Sequence, residues 1–165
     1  TRQATLASAD YEGPVYLRFG RPKLPVFYKT DAPFEIGKAQ KLMSGDDVTI
    51  IATGYMVWEA IKAAQILKEK GIYADVMNMH TIKPLDTDAI LESAARTGKV
   101  VTAEEHQRLG GLGGSVSQVL AENNPTPMRM VAVDDSFGES GTPTQLMDKY
   151  GLNADAIVTK TLEIL

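Results

Sequence analysis

Apolar and polar positions fall into a regular order only after Asp46. Residues 48–52, Val-Thr-Ile-Ile-Ala, form a continuous run that reads as a buried strand. Residues 55–70 predict a helix, with Val57, Ala60, Ile61, Ala64 and Leu67 on one face, and Gly71 ends it. A second strand follows at 73–79, and a helix at 86–96 with Asp86 as its N-cap. Then come a strand at 99–104, a helix at 112–123 and a strand at 128–133. Thr142-Pro143-Thr144-Gln145 is a capping-box sequence with Pro at the first helical position, opening a short helix to Tyr150. Asn153 caps a last helix in which Ala154, Ile157, Val158, Thr161, Leu162 and Leu165 recur at helical spacing.

Strands alternating with helices imply right-handed crossovers and a mostly parallel open sheet, a three-layer αβα fold of the α/β class. The upstream pattern is different. Residues 1–12 read as a weak short helix, and residues 15–19, Val-Tyr-Leu-Arg-Phe, as a strand by their β-branched and aromatic content. One helix and one strand cannot bury a core, so residues 1–28 are expected to be the tail of a domain lying mostly upstream. Thr1 in place of Met suggests a cut chain, a tag scar or an upstream stretch. Residues 29–45 read as a linker that runs into a short edge strand near 36–42. Residues 46–165 then form the α/β domain.

Composition narrows the function classes. The 165 residues suit one domain, and 44% apolar content is enough for a sizeable core. A net charge of −4 with no basic block argues against a nucleic-acid partner. The chain has no Cys, which excludes disulfides, Cys-ligated zinc and a Cys nucleophile, and fits a cytoplasmic location. The apolar runs are far shorter than the roughly 18 residues a membrane span needs, and no signal peptide opens the sequence.

In an open parallel sheet, ligands bind beyond the carboxyl ends of the strands. Four loops fall there: 53–55, 80–83, 104–111 and 134–141. They hold both histidines, His80 and His106, and the acids Glu104, Glu105, Asp134, Asp135 and Glu139. Gly110-Gly111-Leu112-Gly113-Gly114-Ser115 follows a strand and opens a helix, as a phosphate loop would. It lacks the Lys of a P-loop and is not a clean G-x-G-x-x-G, so close helix-to-sheet packing with a sharp turn is the favoured reading. Glu104 and Glu105 are adjacent on a strand and point to opposite faces, so a metal would need ligands from other loops, such as His80 or Asp134. Asp134 and Asp135 are either an acid–base pair or a turn before Phe137-Gly138. Trp58 and the seven Met suit core or interface positions. Arg18 and Arg21 flank a turn after the first strand, where a guanidinium suits a phosphorylated substrate.

Together these motifs resemble a known family. Residues 13–21, GPVYLRFGR, resemble the last strand of the pyrimidine-binding domain in transketolases and their relatives, and 36–39, IGKA, the passage into the C-terminal domain. Residues 47–64 are similar to that domain's first strand and helix. Thr81-Ile82-Lys83-Pro84-Leu85-Asp86, the run VTAEEH at 101–106 and Gly110-Gly111-Leu112-Gly113 resemble further family signatures. Phe137-Gly138-Glu139-Ser140-Gly141-Thr142-Pro143 with Tyr150-Gly151-Leu152 looks most like transketolase, particularly the type split into two polypeptides.

The resemblance implies transfer of a two-carbon ketol unit between sugar phosphates, with thiamine diphosphate and Mg²⁺ in the complete enzyme. It implies an N-terminal partner polypeptide, and a homo-dimer or heterotetramer when complete. Arg21 matches the arginine that grips substrate phosphate. The diphosphate site of the family uses Gly-Asp-Gly, whereas the nearest string here is Gly45-Asp46-Asp47. The activating glutamate lies before this chain begins. The expectation is therefore a chain that neither binds the cofactor nor turns over alone, with no catalytic and no metal-ligating residue of its own. Deoxyxylulose-phosphate synthase and the beta subunits of 2-oxo-acid dehydrogenases share the domain and are the alternatives within the class. Outside it, a stand-alone module would bind an anion or regulator in a crevice around Gly54, His106 and Gly110.

Overall fold

A computed structural model describes residues 1–20, 23–28 and 32–165. Eleven elements follow in order among them: α1 (Arg2–Ala9), β1 (Gln40–Met43), β2 (Val48–Ala52), α2 (Met56–Glu69), β3 (Ala74–Asn78), α3 (Thr87–Thr97), β4 (Val100–Gln107), α4 (Leu112–Asn123), β5 (Met128–Val133), α5 (Pro143–Lys149) and α6 (Ala154–Leu162). The strands form one sheet in the order β1-β3-β2-β4-β5. β2, β3, β4 and β5 run parallel, and β1 closes one edge antiparallel to β3. This is the mostly parallel αβα fold that the alternating pattern implies.

All five residues of β2 are buried, because the sheet is covered on both faces. The period of two in a strand divides its side chains between two cores. Val48, Ile50, Ala52, Val76, Val101 and Ala103 face one layer with Val57, Ala60, Ala64 and Leu67 of α2 and Ile157 and Val158 of α6. Ile51, Met77, Met79 and Val100 face the other, with Ile90 and Ala94 of α3 and Val116 and Leu120 of α4.

The helix ends follow the local chemistry. Asp86 Oδ1 accepts from Ala89 N–H at 3.3 Å, and Gly98 closes α3 in the left-handed region at φ 68°. Asn153 Oδ1 accepts from Ala156 N–H at 3.0 Å to start α6. At Thr142, both the backbone N–H and Oγ1 donate to Gln145 Oε1, at 3.3 and 2.7 Å.

Three expectations need correction. Residues 15–19 form no strand: they run unpaired, and Tyr16 is 88% exposed. Strand-like residues cannot make a ladder without a neighbouring strand. The edge strand begins at Gln40, because Ile36-Gly37 makes a turn with Gly37 at φ 86°. β4 runs to Gln107, three residues beyond its expected end, through a register irregularity between Ala103 and Gln107. No described helix is long and apolar enough to cross a membrane.

Candidate functional site

The chain steps from β2 outward to β3, then returns to place β4 on the other side of β2. The strand order reverses there, so the carboxyl ends of β2 and β4 flank the position where such sheets hold ligands. Thr53 N–H donates to Ala103 O at 3.2 Å and ties the two ends together. Gly54 follows at φ 59° with open space where a Cβ would stand.

The Gly-rich loop after β4 is filled by the chain's own carboxylate. Alternation along β4 puts Glu104 on the same face as Val100 and Thr102, toward α4, where it is 2% exposed. Its Oε2 accepts from Leu112 N–H at 2.7 Å and its Oε1 from Gly113 N–H at 2.8 Å. The first turn of a helix offers N–H groups without intrahelical partners and a partial positive charge, and Glu104 satisfies both. The glycines make the approach possible. A Cβ on Gly111 would lie 2.2 Å from Glu104 Oε2, and one on Gly113 would lie 2.8 Å from Met130 Sδ. Close packing is therefore what this loop does, and the two N–H groups that would receive a phosphate are occupied.

Glu105 points the opposite way and is exposed, as alternation along a strand requires. His106 is exposed as well, with Nδ1 2.9 Å from Gln107 O. Gly110 is an open turn position at φ 79°. Gly54, His106 and Gly110 thus share one end of the sheet. Two shallow surface cavities, each about 180 Å³, lie elsewhere and include none of the three. Asp134 pairs with Arg108 at 2.5 Å, and Asp135 takes φ 40°, so this acidic pair builds a turn. Gln107 Nε2 donates to Ser136 O at 2.9 Å, and Tyr150 OH donates to Phe137 O at 3.1 Å. This fixes the backbone of a loop whose Phe137 side chain is 101% exposed. Arg21 lies outside the described residues, and Arg18 is exposed on the unpaired segment.

Sequence reasoning missed two buried acids and misjudged the role of a third. Glu59 on α2 is buried, pairs with Lys62 at 2.7 Å and accepts from Ala154 N–H at 3.0 Å at the start of α6. Asp75 on β3 is fully buried. It accepts from Ser93 Oγ at 2.5 Å and from Arg96, and pairs with Lys41 at 3.1 Å. Thr49 Oγ1 lies 2.7 Å from both Ser93 Oγ and Thr97 Oγ1, which extends the network across β2. The hydrogen bond to Asp46, with the Asp75 carboxylate beside it, holds the Arg96 guanidinium above its ordinary pKa. Glu104 is the third. The one signal in the sequence was an acid standing among apolar residues at a face meant to be buried.

A diphosphate and metal site does not fit the residues present. Gly45-Asp46-Asp47 lies at the amino end of β2, away from the strand-end crevice. A Cβ on Gly45 would lie 2.2 Å from Tyr73 O, Asp46 is paired with Arg96 at 2.9 Å, and Asp47 Oδ2 accepts from Tyr73 N–H at 2.7 Å. Among the described residues no group of three His, Cys, Asp or Glu side chains is placed to hold a metal ion.

The site is thus an αβα sheet with an antiparallel edge and a self-capped strand-end loop. The chain belongs to the transketolase C-terminal domain family, whose model matches residues 37–157. It is 48% identical, over 93% of its length, to a 6-deoxy-6-sulfo-D-fructose transketolase subunit from a Clostridium species, and covers 48% of that protein. It is 42% identical, over its whole length, to a subunit of the apulose-4-phosphate transketolase of Phocaeicola vulgatus, covering 53% of it. A solved structure described as a split gene transketolase, inactive beta4 tetramer, matches 99% of this chain at 46% identity with a TM-score of 0.96. The match covers 54% of that chain. The present chain therefore spans about half the length of the relatives it matches.

Proposed function

We propose that this chain is the C-terminal part of a split, thiamine-diphosphate-dependent transketolase. The complete enzyme moves a two-carbon ketol unit between sugar phosphates in the cytoplasm. The match to the split gene transketolase over nearly the whole chain is the observation that carries this reading. Residues 1–28 are the end of a pyrimidine-binding domain, 29–45 a linker with its edge strand, and 46–165 the assembly domain. The unpaired, apolar segment 15–19 supports that division, since its backbone and side chains suit insertion beside other strands.

Capture of thiamine diphosphate and Mg²⁺ belongs to the complementary polypeptide, because the candidate oxygens here are already bonded within the chain. The assigned contribution to chemistry is Arg21, whose guanidinium binds substrate phosphate through charge-assisted hydrogen bonds. The complete assembly is a homo-dimer of the joined halves or a heterotetramer.

Calorimetry with thiamine diphosphate and Mg²⁺, together with a coupled ketol-transfer assay, tests this on the chain alone and on the chain mixed with the N-terminal polypeptide. The chain alone should be silent in both, and the pair should bind and turn over sugar phosphates. Micromolar cofactor binding by the chain alone, or a mixed pair inert toward ketose phosphates, would refute the assignment.

A further inference from the structure

Two loops at the carboxyl end of the sheet carry large apolar side chains into solvent. Leu109, between β4 and α4, is 72% exposed, and Phe137, between β5 and α5, is 101% exposed. The loops are neighbours. β4 and β5 pair, Arg108 N–H donates to Val133 O at 2.9 Å, and Gln107 Nε2 donates to Ser136 O at 2.9 Å.

The backbone that carries Phe137 is braced on both sides. Toward β4 it is held by the bond to Ser136 O and by the pair of Asp134 with Arg108. Toward α5 it is held by Tyr150 OH, which donates to Phe137 O at 3.1 Å, and by the pair of Glu139 with Lys149. α5 is itself pinned by its capping box and by the buried Met147. Only the torsions of the side chain remain to be fixed when a partner closes over the ring, so docking there sacrifices little conformational freedom. Aromatic side chains presented in this way carry a large share of the energy at protein interfaces.

Charge says what suits the surface. Asp134 and Glu139 are neutralised within the chain by their pairs. Glu105 and Asp135 are exposed and have no ion pair among the described residues. Two uncompensated negative charges therefore stand beside the apolar pair. A second copy laid on the same surface would bring Glu105 and Asp135 against their own counterparts, a like-charge contact that opposes self-association. An apolar pocket edged by Lys or Arg has the complementary sign.

Resting on the split-transketolase reading, we propose that Leu109 and Phe137 are the anchor by which this domain docks on the N-terminal polypeptide, in an apolar pocket of that chain rimmed by Lys or Arg. Calorimetry and stopped-flow mixing of the two polypeptides, over a range of salt concentrations, test it. F137A should weaken association about 30-fold and L109A about fivefold, as truncations at an interface centre do. E105Q/D135N keeps the side-chain shapes, and Asn tolerates the left-handed backbone at position 135. It should slow association and remove most of its salt dependence. Y73A removes an exposed aromatic beside the amino end of β3 and should bind like wild type. Melting curves of all variants should stay close to wild type, since the side chains are exposed. Wild-type affinity in F137A, a salt dependence unchanged in E105Q/D135N, or a sharp loss of stability in F137A would overturn this proposal alone. So would self-association of the chain that F137A abolishes in sedimentation, which would make a second copy the occupant. A wild-type chain that forms no complex with the N-terminal polypeptide would overturn the split-enzyme reading beneath it.

Discussion

Replacing Glu104 with Gln changes only the charge and one acceptor at the start of α4. The carboxylate now satisfies two buried N–H groups, at 2.7 and 2.8 Å. The amide oxygen can keep one of them, while its NH₂ group must face the other as donor against donor. The loss is one charge-assisted hydrogen bond, about 1.5–3 kcal/mol, plus the favourable charge at the helix terminus, about 0.3–1 kcal/mol. A destabilisation of about 2–4 kcal/mol follows, a large share of the roughly 5–15 kcal/mol that holds a domain together. At about 2–4 °C per kcal/mol for a chain of this size, the melting temperature should fall by roughly 5–15 °C. Denaturant and thermal unfolding at pH 7 measure it, with Glu105→Gln as the exposed neighbour that should stay within about 0.5 kcal/mol of wild type. Gly111→Ala gives a second handle, since its new Cβ would stand 2.2 Å from Glu104 Oε2. In a double-mutant cycle, Gly111→Ala should cost less once Glu104 is Ala, because the colliding oxygen is gone. A Glu104→Gln protein as stable as wild type, or additive costs in the cycle, would refute the capping argument.

Asp75→Asn leaves Arg96 and Lys41 facing a neutral amide in a buried network; equilibrium unfolding should show a loss of about 2–4 kcal/mol, moderated because both cations reach water. Asp46→Asn, at the exposed end of the same network, should change stability by less than about 1 kcal/mol. Leu67→Ala empties a fully buried position between α2 and the sheet and should cost about 2–5 kcal/mol in the same assay. Arg21→Ala, assayed in the reconstituted enzyme, should raise KM for phosphorylated sugars by an amount worth about 1.5–3 kcal/mol, with Arg18→Ala as the milder control.

The ordered part of the fold was legible because local signals agreed. Helix 112–123 and strand 128–133 fall where the pattern placed them: glycines open the helix, and Asn123-Asn124-Pro125 ends it. Asp86, Thr142 and Asn153 announced their caps by residue type. Strand 15–19 failed as a prediction because propensity describes a residue's fitness for a ladder, whereas a ladder needs a second strand. The buried acids were illegible for a related reason. Glu59 finds its donor 95 residues away and Asp75 its partners 18 and 21 residues away, so their role exists only after folding. Glu104 was weighed as a metal ligand and the loop beyond it as a phosphate cradle, yet each is the other's partner.

That pairing has a consequence for any anion in solution. A free phosphate seeking the start of α4 must displace a carboxylate that never diffuses away. A group already tethered in the right geometry does not lose the translational and rotational freedom that a free anion must lose on binding. The N–H groups of Leu112 and Gly113 are thereby closed to free anions by the chain itself.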